Sequence, residues 1–225
     1  KTLILSLPVW YLRLTLFNLR RTLMNKSFII KIIVFCLVTI KASAIEKVIL
    51  FGDSLMAGYG LPNEQHLSVV LQNSLETEGY NIEIVNGSVS GSTSSGGLNI
   101  AEWTLSESNI DLMILCLGAN DMLRGINPKE TKNNLEEIIK IAKNKNIKVI
   151  IAGMIAPTSY GSNYKKSFDK IFYDLSKKYK LQLIPFLLEG VAQKPEFNLS
   201  DGMHPNDQGT IIIGNTLKIA ILENL

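Results

Sequence analysis

Val48-Ile49-Leu50-Phe51-Gly52-Asp53-Ser54-Leu55 is the stretch from which the rest of the chain is best read. A short apolar run, partly β-branched and ending in Gly-Asp-Ser, predicts a buried strand that delivers a serine to its carboxyl end. In an open parallel α/β sheet that edge is where ligands bind. A serine hydroxyl is a weak nucleophile until a base takes its proton. The remaining residues must then supply a base, a group that orients it, and donors for an oxyanion.

Downstream, Leu67, Val70, Leu71 and Leu75 recur at helical spacing and predict a helix over about 64–78, stopped by Gly79. Residues 81–85 alternate polar and apolar, predicting a second strand that runs into the small-residue loop 86–93, with a weaker helix to about 108. The continuous apolar run 111–117 reads as a strand covered on both faces and ends in Gly118-Ala119-Asn120-Asp121. Pro128 fits the first turn of a helix through about 145, with Leu135, Ile138, Ile139 and Ala142 on its buried face. Strands over 147–152 and 181–184 and helices over 163–179 and 206–222 complete the pattern. Strands alternating with helices, without hairpin turns, imply right-handed crossovers, a five-stranded parallel sheet and one α/β domain over 45–225.

Composition agrees. A chain of 225 residues, 46% hydrophobic, is enough for one ordinary α/β domain. Its net charge of +3 is unevenly placed: residues 1–44 hold seven cations and no acid. Residues 45–225 carry sixteen cations against all twenty acids, a net of −4. No basic face for nucleic acid is indicated. From Met24, two lysines, the apolar run 32–40 and Ala42-Ser43-Ala44 have the order of a signal peptide cleaved after Ala44, so a periplasmic or secreted product is expected. The run is short for a bilayer span, so no stable membrane insertion is expected; an uncleaved anchor is the rival reading. Residues 1–23 read as an upstream extension or a longer n-region. Of two cysteines, only Cys116 lies beyond that site, in an apolar run, where it reads as a small buried hydrophobe. A monomer is expected.

Ser54, Ser90-Gly91 and Asn120 each follow a predicted strand and so share one sheet edge. Asp201 and His204 stand three apart in the loop before the last helix, where one turn brings carboxylate and imidazole together. The chain has two histidines, so the base is His66 or His204; only His204 has a nearby carboxylate in a loop. There is no Walker loop, no Gly-x-Gly-x-x-Gly and no Gly-x-Ser-x-Gly elbow, since position 56 is Met. With so few His and Cys residues neither a transition-metal site nor a cofactor is expected.

Gly52-Asp53-Ser54-Leu55, Gly91, Gly118-Ala119-Asn120-Asp121 and Asp201-Gly202-Met203-His204-Pro205 resemble the four blocks of the SGNH (GDSL) hydrolases. Residues 57–62, Leu123-Arg124-Gly125, Gly153-Met154, Tyr160-Gly161 and 184–192 extend the likeness to the bacterial periplasmic subgroup of multifunctional acyl-CoA thioesterase, lysophospholipase and arylesterase enzymes. The resemblance implies a three-layer α/β/α, flavodoxin-like fold. It also implies Ser54 as nucleophile, His204 as general base, Asp201 as its orienter, and an oxyanion hole from the Ser54 and Gly91 N–H groups and the Asn120 amide. Asp53 would be a local structural acid. Relatives carry a mobile flap after the Asn block, here residues 122–127, which makes Met122, Leu123, Ile155 and Pro157 candidate acyl contacts. The subgroup usually has Gly-Asp-Thr where this chain has Gly91-Ser92-Thr93, and Pro-Pro-Asn where it has Pro157-Thr158-Ser159. Both departures border the cleft and bear on substrate preference.

The expected activity is hydrolysis of small-molecule acyl esters and thioesters through an acyl-enzyme. Deacetylation of cell-wall or exopolysaccharide sugars by the same residues is the alternative. A non-catalytic binding module on the same scaffold is a third reading, although it would have no need of serine, imidazole and amide at one edge.

Overall fold

A computed structural model of the protein describes residues 45–225. The expected signal peptide and extension lie outside the described residues. Five strands, β1 (Lys47–Gly52), β2 (Glu83–Asn86), β3 (Leu112–Cys116), β4 (Lys148–Ala152) and β5 (Gln182–Ile184), form one sheet in the order β2-β1-β3-β4-β5. Every pairing is parallel, with Val48 opposite Leu112 and Leu112 opposite Lys148. Val48 to Phe51 and all of β3 are buried, because helices cover both faces. Cys116 is buried among them as a free thiol.

The helices are α1 (Ser54–Ala57), α2 (Leu67–Thr77), α3 (Ser94–Thr104), α4 (Ala119–Leu123), α5 (Pro128–Asn144), α6 (Ser162–Tyr179) and α7 (Asp207–Leu222). α3 packs on α5 and α5 on α6, while α2 packs on α7, giving the three layers that right-handed crossovers require. The strand order reverses between β1 and β3. A crevice therefore opens at their carboxyl ends, where Ser54 and Asn120 emerge.

Several boundaries move from the sequence reading. The helix expected from residue 64 begins at Leu67, because His66 is extended (φ −61°, ψ 143°) and separates it from a 3-10 turn over Asn63–Gln65. The second strand occupies Glu83–Asn86, and the helix expected to reach 108 ends at Thr104. α1 and α4 were not foreseen, since a single turn is too short to show a period.

Candidate active site

The chain leaves β1 and enters α1 with no intervening loop. Asp53 makes this possible as the N-cap, its Oδ1 accepting the Leu55 N–H at 3.1 Å. Ser54 is thus the first helical residue, held at the sheet edge. Its Oγ–H donates to His204 Nε2 at 2.9 Å, and His204 Nδ1–H donates to Asp201 Oδ2 at 2.6 Å. An ionised carboxylate only accepts, which puts the neutral imidazole's proton on Nδ1 and leaves Nε2 basic toward the serine.

The Asp201 carboxylate is fixed by its own turn. Oδ1 accepts the His204 N–H at 3.0 Å and the Met203 N–H at 2.9 Å. These two bonds, and then the imidazole, hold its pKa down to about 2. The loop is anchored by a bridge between Asn198 and Pro205 and by the Leu199 N–H donating to the His204 carbonyl at 2.7 Å. Asn206 then caps α7 by accepting the Gly209 N–H at 3.0 Å.

Asn120 lies in α4, just past β3. Its Nδ2 donates to Asp53 Oδ2 at 3.3 Å, which leaves the amide a second N–H. Asp53 is fully buried, and burial raises its pKa to about 6 against the opposing bonds from Leu55 and Asn120. Asp121, next to Asn120, turns inward and is also fully buried. It accepts the Ser94 N–H at 2.7 Å, the Ser94 hydroxyl, and the Thr131 hydroxyl at 3.0 Å, tying α4 to the starts of α3 and α5.

Gly91 sits in the loop after β2 with φ +76°. That loop is tied to the end of β1 by the Val89 N–H donating to the Gly52 carbonyl at 3.0 Å, and Arg124 Nη2 donates to the Gly91 carbonyl at 3.0 Å. Of the residues singled out in the sequence, Ser54, His204 and Asp201 are joined directly, and Asn120 is joined through Asp53. Leu123 (51% exposed), Ile155 (43%) and Pro157 stand at the surface, but Met122 is buried in the core at 7% and is a packing residue rather than an open acyl contact. The cleft beside Ser54, floored by Leu55, Tyr59, Leu67 and Pro205, has a volume of only about 10 Å³.

His66, the rejected base, has its Nε2 on the Leu61 carbonyl at 3.1 Å. The roles of Asp53 as the link to Asn120 and of Arg124 toward Gly91 were missed. Only the adjacency of Asp53 to Ser54 hinted at the first. Among the described residues no cluster of three or more His, Cys, Asp or Glu residues could hold a metal ion.

Residues 50–210 match the GDSL-like Lipase/Acylhydrolase family. An arylesterase of Vibrio mimicus is 37% identical over 177 residues, covering 79% of this chain and 88% of the relative. The thioesterase 1/protease 1/lysophospholipase L1 of Escherichia coli K12 is 32% identical over 170 residues, 76% of this chain and 80% of that one. Among solved structures, that of TesA superposes with a TM-score of 0.76 at 32% identity, covering 80% of this chain and 100% of that chain. The psychrotrophic esterase EstA from Pseudoalteromonas sp., inhibited by monoethylphosphonate, gives 0.76 at 29%, covering 79% and 97%.

Proposed function

The chain belongs to the GDSL-like lipase/acylhydrolase family, and from that premise we propose that it is an exported serine esterase that cleaves acyl esters and thioesters through an acyl-enzyme on Ser54. The supporting observation is the unbroken line from Ser54 Oγ through the imidazole to Asp201. As Ser54 Oγ attacks the carbonyl carbon, its proton passes to His204 Nε2. The resulting imidazolium is stabilised by the ionised Asp201, which needs no proton of its own. The oxygen of the tetrahedral intermediate takes the negative charge. The free N–H of Asn120, held by Asp53, and the backbone N–H groups of Ser54 and Gly91 would receive it, each such donor being worth about 10²–10³ in rate. His204 then protonates the departing alcohol or thiol. Water, deprotonated by the same nitrogen, releases the acid and restores Ser54.

Leu123 at the end of α4 and Ile155 in the segment after β4 are exposed and favour an acyl chain longer than acetate, since a hydrocarbon laid across them removes apolar surface from water. A sugar deacetylase would have no use for such a surface, and chain-length preference separates the two readings. The order of charged, apolar and small residues over 24–44 supports export with a product beginning at Ile45. Among the described residues no helix is long and apolar enough to cross a membrane. A panel of p-nitrophenyl esters tests both points. Turnover should rise from acetate to medium chains in the wild type and fall by at least 10³-fold in Ser54→Ala with the fold unchanged. Undiminished turnover in that variant would refute the nucleophile, and a sharp fall beyond acetate would favour the deacetylase.

A further inference from the structure

Tyr59 has no part in the reaction so far described, yet it lies against its centre. Its ring centroid is 4.4 Å from that of His204, with the planes inclined by 36°. The residue is 51% exposed, so its ring lies between His204 and solvent rather than in the core. Its backbone is built to hold it there. Gly58 and Gly60, on either side, both adopt left-handed conformations (φ +84° and +75°).

Both positions disfavour a side chain, by their positive φ and by what a Cβ would meet. A Cβ on Gly58 would meet the His66 ring at 2.4 Å, and one on Gly60 would meet Leu199 at 2.7 Å. His66 supports the turn from below through the Leu61 carbonyl. The Leu199 side chain stands next to Gly60, and the Leu199 N–H donates to the His204 carbonyl at 2.7 Å. The Tyr59 N–H donates back to the Ser54 carbonyl at 3.4 Å. One short segment therefore carries both the hydroxyl that His204 deprotonates and the ring that covers His204.

We infer that Tyr59 is a positioning residue for His204, its π-face holding the imidazole between Ser54 and Asp201 and stabilising the imidazolium formed when Ser54 loses its proton. The two bonds to His204 lie in the ring plane and leave rotation about Cβ–Cγ opposed only at the nitrogens. A ring on one face blocks that rotation. The negative face of an aromatic ring attracts a cation within about 6 Å, and the charge appears only after proton transfer, so the contact acts on kcat rather than on binding. The charged groups facing the imidazole are Asp201 on Nδ1 and Asp53 behind Ser54; Tyr59 alone covers a ring face among these partners. The second histidine thereby acquires a role, as the support under the turn that presents Tyr59.

The inference rests on Ser54 and His204 being nucleophile and base, and the test separates the two claims. Tyr59→Leu and Tyr59→Phe are compared with wild type in ester turnover, in labelling by a fluorophosphonate probe, and in the ¹H shift of the His204 ring protons. Tyr59→Leu should lower kcat and the labelling rate by about five- to thirty-fold with KM within twofold. Tyr59→Phe, which keeps the π-face, should stay within twofold of wild type. The upfield ring-current shift of the His204 protons should persist in Phe and vanish in Leu. An unchanged kcat in Tyr59→Leu, an effect on KM alone, or equal damage from Phe and Leu would overturn the inference. A wild type that the probe fails to label would instead overturn the catalytic reading, whatever the ring protons showed.

Discussion

Asp53 and Asp201 are two carboxylates serving one serine, one next to it in sequence and one across the imidazole, and their surroundings set them to opposite tasks. Asp201 is half open to water, receives two backbone N–H bonds and the imidazole, and stays ionised with a pKa near 2. Its contribution to stability is present above the unfolded value near 4 and is lost only as pH falls toward 2. Asp53 is sealed in the core with a pKa near 6, so the folded state binds its proton more tightly than the unfolded chain does. The stability it confers is full below about pH 4 and is lost as pH rises through 6. Above that, the buried charge costs on the order of 2–3 kcal/mol. The unfolding midpoint of Asp53→Asn, taken relative to wild type, should therefore be more favourable at pH 8 than near pH 4. The neutral amide offers one acceptor oxygen where the carboxylate offers two, so it cannot hold both the Leu55 N–H and the Asn120 amide, and kcat should fall at least tenfold. Thermal melts at both pH values check the first claim and steady-state kinetics the second; a difference from wild type that is the same at pH 8 and pH 4 would contradict the buried charge. At this scale the sequence was legible where chemistry left few choices: with two histidines, one of them three residues from an acid, His204 and Asp201 stood out. Asp53 and Tyr59 did not, because their contacts depend on a single helical turn and two left-handed glycines that no residue pattern announces.

Among elements, the junction of α3, α4 and α5 decides whether Asn120 faces the crevice. Asp121 satisfies the start of α3 through Ser94 and that of α5 through Thr131, and Asn134 of α5 donates to the Ser94 hydroxyl at 3.0 Å. Removing a buried acceptor leaves its donors unpaired, at about 1–3 kcal/mol for each group. Asp121→Ala should accordingly lower stability by roughly 3 kcal/mol or more and reduce kcat by loosening α4, which urea unfolding and ester kinetics would measure. A variant as stable and as active as wild type would remove this junction from the account. Elements with strong periodicity, such as α5 with its Pro128 start and Asn127 cap, were placed from sequence to within a residue. The start of α2 was missed because an extended His66 interrupts an apolar pattern that continues through it.

The whole molecule is electrically divided. α5 and α6 with their C-caps Lys145 and Lys180 contain eleven lysines and five acids, a net of +6, and they pack side by side. The rest of residues 45–225 then carries five cations and fifteen acids, a net of −10. Lys166, Lys170 and Lys177 form an exposed stripe along α6. At pH 7.5 and low salt the protein beginning at Ile45 should be retained by a cation exchanger despite its negative net charge, and be released as salt screens the patch. Reversing the three lysines to glutamate should abolish retention and leave ester turnover unchanged. Flow-through of the wild type would show that the helix-borne charge is cancelled by neighbours. The parallel sheet and its order were legible because alternating strands and helices permit few topologies, but charge polarity was not, since it appears only when α5 and α6 are seen to adjoin.

Trapping the covalent species asks the central question most directly. Wild-type protein mixed with excess p-nitrophenyl butyrate, quenched in acid during turnover and analysed by peptide mass spectrometry, should carry one butyryl group on Ser54, accumulating with the burst of nitrophenol. Steady turnover with Ser54 unmodified, or the acyl group on another residue, would contradict it.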